Sequence, residues 1–134
     1  MPISLLRDGE IELFKALLKE PLTLRLYTNE LVIDKNMNYD DFEQLSSESG
    51  YEPQILIPSK WVYDEIKGKF TAMHPGVEFI FSGPLSKKVF GSFVTKQVKG
   101  KPVVLWAETA PDAPVIIYNR GDKVIVNPII RFKD

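Results

Sequence analysis

The hydrophobic pattern of the chain changes period once. Ile11, Phe14, Leu17 and Leu18 recur at helical spacing, while Glu12, Lys15 and Lys19 fall on the opposite face. Asp8 and Glu10 make an acidic entry and Pro21 a stop, so the spacing predicts one short helix over residues 8–20. A helix this short is marginal alone in water and is expected to pack against a sheet. From Leu22 onward the period is two: Leu22, Leu24 and Leu26 alternate with Thr23, Arg25 and Tyr27, the pattern of a strand with one buried face. Comparable strand signals recur at 61–63, 70–73, 77–81, 89–98, 103–107, 115–118 and 124–132. Between them lie Pro58, Gly68, Pro75-Gly76, Gly83-Pro84, Gly100, Pro111, Pro114 and Gly121. The expected fold is all-β: an antiparallel two-sheet sandwich or jelly roll of about eight strands with one short N-terminal helix. It is expected to form a single domain over 1–134, with an N-terminal arm at 1–7.

Residues 29–50 break the pattern. They are polar and carry Asp34, Asp40, Asp41, Glu43 and Glu48, with a helical turn expected at 39–45. They are expected to form a long acidic loop, and long excursions in compact domains are commonly functional or mobile.

Composition narrows the chemistry. The 134 residues include 17 basic and 18 acidic side chains, one histidine and no cysteine. Zero cysteines exclude a disulfide framework, a thiolate metal site and a cysteine nucleophile. The near-balance of charge argues against nucleic acid or an anionic membrane as partner. No apolar run reaches the ~18 residues of a membrane span, and residues 1–6 lack the features of a signal peptide.

The remaining polar motifs have plain structural explanations. Asp34, Asn36 and Asn38 match the opening of a calcium loop, but Tyr39 stands where the turn glycine belongs and Leu45 where the bidentate glutamate belongs. Asp40, Asp41 and Glu43 are too close together on a polar loop to hold a glycosidase spacing. His74 precedes Pro75-Gly76 in an expected turn, with no nucleophile elbow in the chain, and is expected to be solvated or hydrogen-bonded there. Arg120-Gly121-Asp122 sits between two strand signals, where a tight turn accounts for it. Lys87, Lys88, Lys96, Lys99 and Lys101 cluster around one hairpin, where lysine protects a strand edge or pairs with an acidic neighbour. Trp106 lies in a run apolar on both faces, so one side is expected in the core and the other covered by the helix or another subunit. No catalytic residue, metal site or cofactor is expected. The candidate protein contacts are Tyr39, Asp41 and Phe42, aromatic anchors in a charged rim, together with Trp61 and the apolar arm.

Several landmarks together resemble a known group. Leu24-Arg25-Leu26-Tyr27-Thr28-Asn29 after a short helix is similar to an LRLFxN opening. Asp41-Phe42-Glu43, Gly50-Tyr51, Trp61 and Phe79-Ile80-Phe81 follow in the same order. The segment from Val89 to Thr95 resembles a VYGYYVT strand, and Leu105-Trp106-Ala107-Glu108 an LLWAE strand. Gly121-Asp122, Val126 and Pro128 match a closing segment. This order resembles that of small virion structural proteins of tailed bacteriophages, with departures in the longer acidic loop and at Ser92. The resemblance implies a non-enzymatic particle component on the virion. Within that class the expectation is a capsid decoration or cement protein on the outer capsid surface, a homotrimer bound to the major capsid protein. The alternatives are a tail or baseplate accessory protein and a carbohydrate-binding module using Trp61 or Trp106.

Overall fold

A computed structural model describes residues 2–131. The chain runs α1 (Arg7–Leu18), β1 (Leu22–Tyr27), β2 (Gln54–Leu56), β3 (Val62–Ile66), β4 (Lys69–Met73), β5 (Val77–Ile80), β6 (Gly91–Val98), β7 (Lys101–Thr109), β8 (Lys123–Val126) and β9 (Ile129–Arg131). The strands form antiparallel sheets in the orders β2-β1-β6-β7, β3-β4-β9 and β5-β8. The fold is an all-β sandwich with a short N-terminal helix.

The period-two pattern of β1 sets the core. Leu22, Leu24 and Leu26 are at most 1% exposed and pack with Leu56, Val94, Phe79, Phe81, Val124 and Val126. Burial of each leucine contributes roughly 2 kcal/mol. In the β5–β8 ladder, Val77 opposes Val126 and Phe79 opposes Val124. Glu78 and Lys123, on the same pair of strands, join in an ion pair of 3.1 Å.

Helix α1 packs on β4 through Phe14, whose ring stacks on Phe70 at 5.4 Å. Arg7 ties its first turn to the β3–β4 hairpin: the guanidinium pairs with Glu65, donates to the Gly68 carbonyl at 3.1 Å and lies over the Phe70 ring. Both long hairpins turn through successive positive φ angles, at Lys67-Gly68 (53° and 77°) and Lys99-Gly100 (51° and 79°). Two such residues match the right-handed strand twist, and glycine carries the second at no steric cost.

Three expectations need correction. The strand signal at 124–132 is two strands, because Pro128 interrupts the ladder: β8 stays with β5, and β9 crosses to β4. Phe132 lies outside the described residues, as does Met1 of the arm. The signal at 115–118 yields a single bridge between Val89 and Val115. Conversely, β2 was not expected, although Ile55-Leu56-Ile57 is an apolar run bounded by Pro53 and Pro58.

Candidate functional site

The long loop does not stand away from the domain. Thr23, Arg25 and Tyr27 of β1 point to the face of the large sheet opposite the three leucines. Residues after Tyr27 fold back across that face. Tyr27, Phe42 and Phe93 make a second buried cluster, with Leu31, Met37 and Tyr39 packed around it. The Phe42 ring stacks on Phe93 at 4.8 Å and meets Tyr27 edge-on at 5.3 Å.

Polar side chains hold the loop in that place. Tyr39, Asp40 and Asp41 form one 3-10 turn closed by a capping box: the Asn38 side chain accepts from Asp40 N, and Asp41 Oδ2 accepts from Asn38 N at 2.7 Å. Asn29 donates to the Asp41 carbonyl at 2.8 Å and accepts from Glu43 N at 3.0 Å. Arg25 donates to Thr95 and to Gln44, and Gln44 donates to the Tyr51 hydroxyl, which also accepts from Leu26 N. Burial pushes the Tyr51 hydroxyl above its usual pKa, so it remains a neutral phenol.

The nominated contact residues separate accordingly. Tyr39, Asp41 and Phe42 share one turn, whereas Trp61 lies in the main core. Phe42 is 7% exposed and Trp61 6%, so neither is a surface anchor. Both rings have more to gain from the interior than from water. Tyr39 is half-buried with its ring edge against Phe93, and Asp41 is exposed but committed to the cap. Trp61 meets His74 and Trp106 edge-on, and its indole N–H has no hydrogen-bond acceptor among the described residues.

His74 is buried, which corrects the solvated alternative. Its Nε2 accepts from Ile57 N at 3.2 Å and its Nδ1 lies 2.8 Å from the Pro75 carbonyl, a pairing that requires a neutral ring with the proton on Nδ1. Asp122 accepts from Tyr118 N and Asn119 N, which closes the turn containing Arg120-Gly121-Asp122. Lys96 pairs with Glu20 at 3.5 Å. Among the described residues, no three His, Asp or Glu side chains gather as metal ligands, and no helix is long and apolar enough to cross a membrane.

Two concavities flank β7. A groove of about 480 Å³ lies between Trp106, Ala107 and Glu108 on one side and Pro128, Ile129 and Arg131 on the other. A second, of about 320 Å³, lies between residues 104–107 and the loop at Ile33, Lys35 and Met37. Trp106 is half-exposed in this setting, and the helix, one of the two covers expected for it beside another subunit, packs on β4 instead. The signal for these grooves was the doubly apolar run at 103–107, which marks a strand whose two faces are both meant to be covered.

Loss of hydration pushes the Glu108 carboxyl above the ordinary glutamate value of 4.5. A raised folded-state value means that the folded state holds the proton more tightly than the unfolded chain. Stability from this group is therefore fully present below pH 4.5 and lost as pH rises through the raised value. The Glu108→Gln variant should melt above the parent at neutral pH, and the two melting curves should converge in acid. The gain should stay under about 1 kcal/mol, since the residue is exposed and water screens the carboxylate. Thermal melts from pH 3.5 to 8, a range that brackets the ordinary value, check the convergence. Comparison with protein-family models, with curated proteins and with solved structures finds no match to this chain.

Proposed function

We propose that the chain is a non-enzymatic virion structural protein of a tailed phage, acting as a decoration or cement protein on the outer capsid. The observation that carries this reading is the N-terminal arm. Ile3 is 94% exposed and Leu6 75%, and Leu6, in extended backbone, immediately precedes the first helical residue. Apolar side chains held in water this way are suited to docking on a partner surface. The resemblance of the strand motifs to phage virion proteins supports a particle component, and the cement reading takes the major capsid protein as its partner. Cementing needs only buried interface repeated by symmetry, with no reaction.

The test is re-addition of the purified chain to shells of the parent phage stripped of it. Saturable binding and a raised shell melting temperature are expected. The Ile3→Ser/Leu6→Ser variant should bind about a hundredfold more weakly, because two apolar side chains would no longer be buried. Failure to bind, with immunogold label confined to the tail of intact virions, would replace the capsid assignment with a tail or baseplate accessory role.

A second reading has one observation in its favour. Trp106 lines the 480 Å³ groove beside Glu108, Ser92 and Arg131, an aromatic surface with polar groups of the kind sugars stack upon. Glycan binding abolished by Trp106→Ala, with the fold intact by circular dichroism, would favour a carbohydrate-binding module. Trp61 is removed from that reading by its burial.

A further inference from the structure

Strand β7 is nine residues long and stands at the rim of its sheet, where among the described residues it pairs with β6 alone. Its outer edge offers backbone donors and acceptors with no described strand beside them, the arrangement that templates pairing with another chain. The centre of that edge, Val103-Val104-Leu105-Trp106-Ala107, is apolar and exposed or half-buried throughout. Charge stands only at the ends, in Lys101 and Glu108. Neither side chain has a hydrogen-bonding or ion-pair partner among the described residues.

The two grooves lie on opposite faces of this edge. Side chains of a strand laid alongside β7 would alternate between them. The bulge in β7 fixes which residues share a face. Val94 opposes Trp106 but Thr95 opposes Val104, so Leu105 is unmatched and the strand changes phase there. Lys101, Val103, Trp106 and Glu108 oppose Val98, Lys96, Val94 and Ser92, every second residue of β6, and so lie on one face.

We propose that the open edge of β7 is a self-association surface on which two copies pair antiparallel about a two-fold axis. Centred between Val104 and Leu105, the pairing sets Lys101 against Glu108 of the second copy and Val103 against Trp106 of the second copy. Directly opposed residues in an antiparallel pair share a face, and the phase change at Leu105 is what lets these partners do so. Symmetry repeats each contact, so two Lys101–Glu108 pairs close the two ends and the four-stranded sheet continues into its copy. Pro102, which has no N–H to offer, falls near the end of the paired segment. The partly dehydrated carboxyl of Glu108 gains an ammonium in this arrangement.

The inference does not rest on the virion assignment, since it concerns the chain alone. Sedimentation velocity over a concentration series should show a monomer–dimer equilibrium that raised salt weakens. Lys101→Glu and Glu108→Lys should each weaken association by about tenfold, because each turns two attractive pairs into repulsive ones. The combined Lys101→Glu/Glu108→Lys variant should restore it, and thermal melts of all three should show the fold retained. A monomer at every concentration, a trimer, or a dimer indifferent to both reversals would overturn the proposal. Capture of an extended peptide at this edge by a chain that remains monomeric would overturn it equally.

Discussion

Gly91→Ala should be among the most damaging single substitutions in the protein, costing about 3 kcal/mol or more. Gly91 lies in β6 between Tyr27 of β1 and Thr109 of β7. A Cβ at this position would fall 2.1 Å from the Glu108 carbonyl oxygen and 2.5 Å from the Tyr27 hydroxyl. That is where the Tyr27 hydroxyl donates to the same carbonyl, at 3.3 Å. A methyl group would have to push β7 outward or break this hydrogen bond, and close-packed interiors tolerate neither cheaply. Urea denaturation should show the loss as a lower midpoint. Adding Tyr27→Phe should recover only part of it, because the backbone oxygen stays in place. A Gly91→Ala protein within about 0.5 kcal/mol of the parent would mean that the strands are not held this closely.

Phe42→Ala should cost about 3 to 5 kcal/mol, the usual range for emptying a buried aromatic site. The ring fills the second core between Tyr27 and Phe93, and its removal empties the centre of the cluster against which Leu31, Met37 and Tyr39 pack. Proteolysis should then cut within residues 29–50 well before the rest of the domain, since local opening costs less free energy than global unfolding. An anchor held in solvent for a partner would behave differently, with unchanged stability and intact resistance to protease. A loss below about 1 kcal/mol would restore Phe42 as a surface residue.

Both substitutions fall where local sequence is a poor guide. The helix was legible because its apolar spacing, acidic entry and Pro21 agree, and α1 differs from expectation only at its ends. In the large sheet β1, β6 and β7 were legible, β1 because Leu22, Leu24 and Leu26 alternate with Thr23, Arg25 and Tyr27, and β6 and β7 because residues 89–98 and 103–107 are rich in apolar and β-branched side chains, whereas β2 was not. Phe42 was misplaced because an aromatic among acidic residues looks the same whether it faces water or a sheet. Its burial depends on the outward face of β1 and β6, which lies far from it in sequence. Trp61 was misplaced for a similar reason: Ser59 and Lys60 before it are polar, but the ring turns toward His74 and Trp106. Gly91 did leave a usable signal, since a glycine inside a strand pattern marks close backbone approach.

The sequence by itself determined the local elements: one amphipathic helix, a succession of short antiparallel strands, and the turns at Gly68, Gly100 and Gly121. Periodicity and turn chemistry act over a few residues, so they can be read without knowing what lies opposite. Only the tertiary structure decided that Asn127-Pro128 carries the chain from one sheet to another, that the acidic loop covers a second core, and that β7 ends its sheet with an apolar edge between two grooves. These follow from which strands pair. Pairing is set by contacts between residues distant in sequence, such as Arg25 with Phe93 and Val94 with Trp106, which no local pattern encodes.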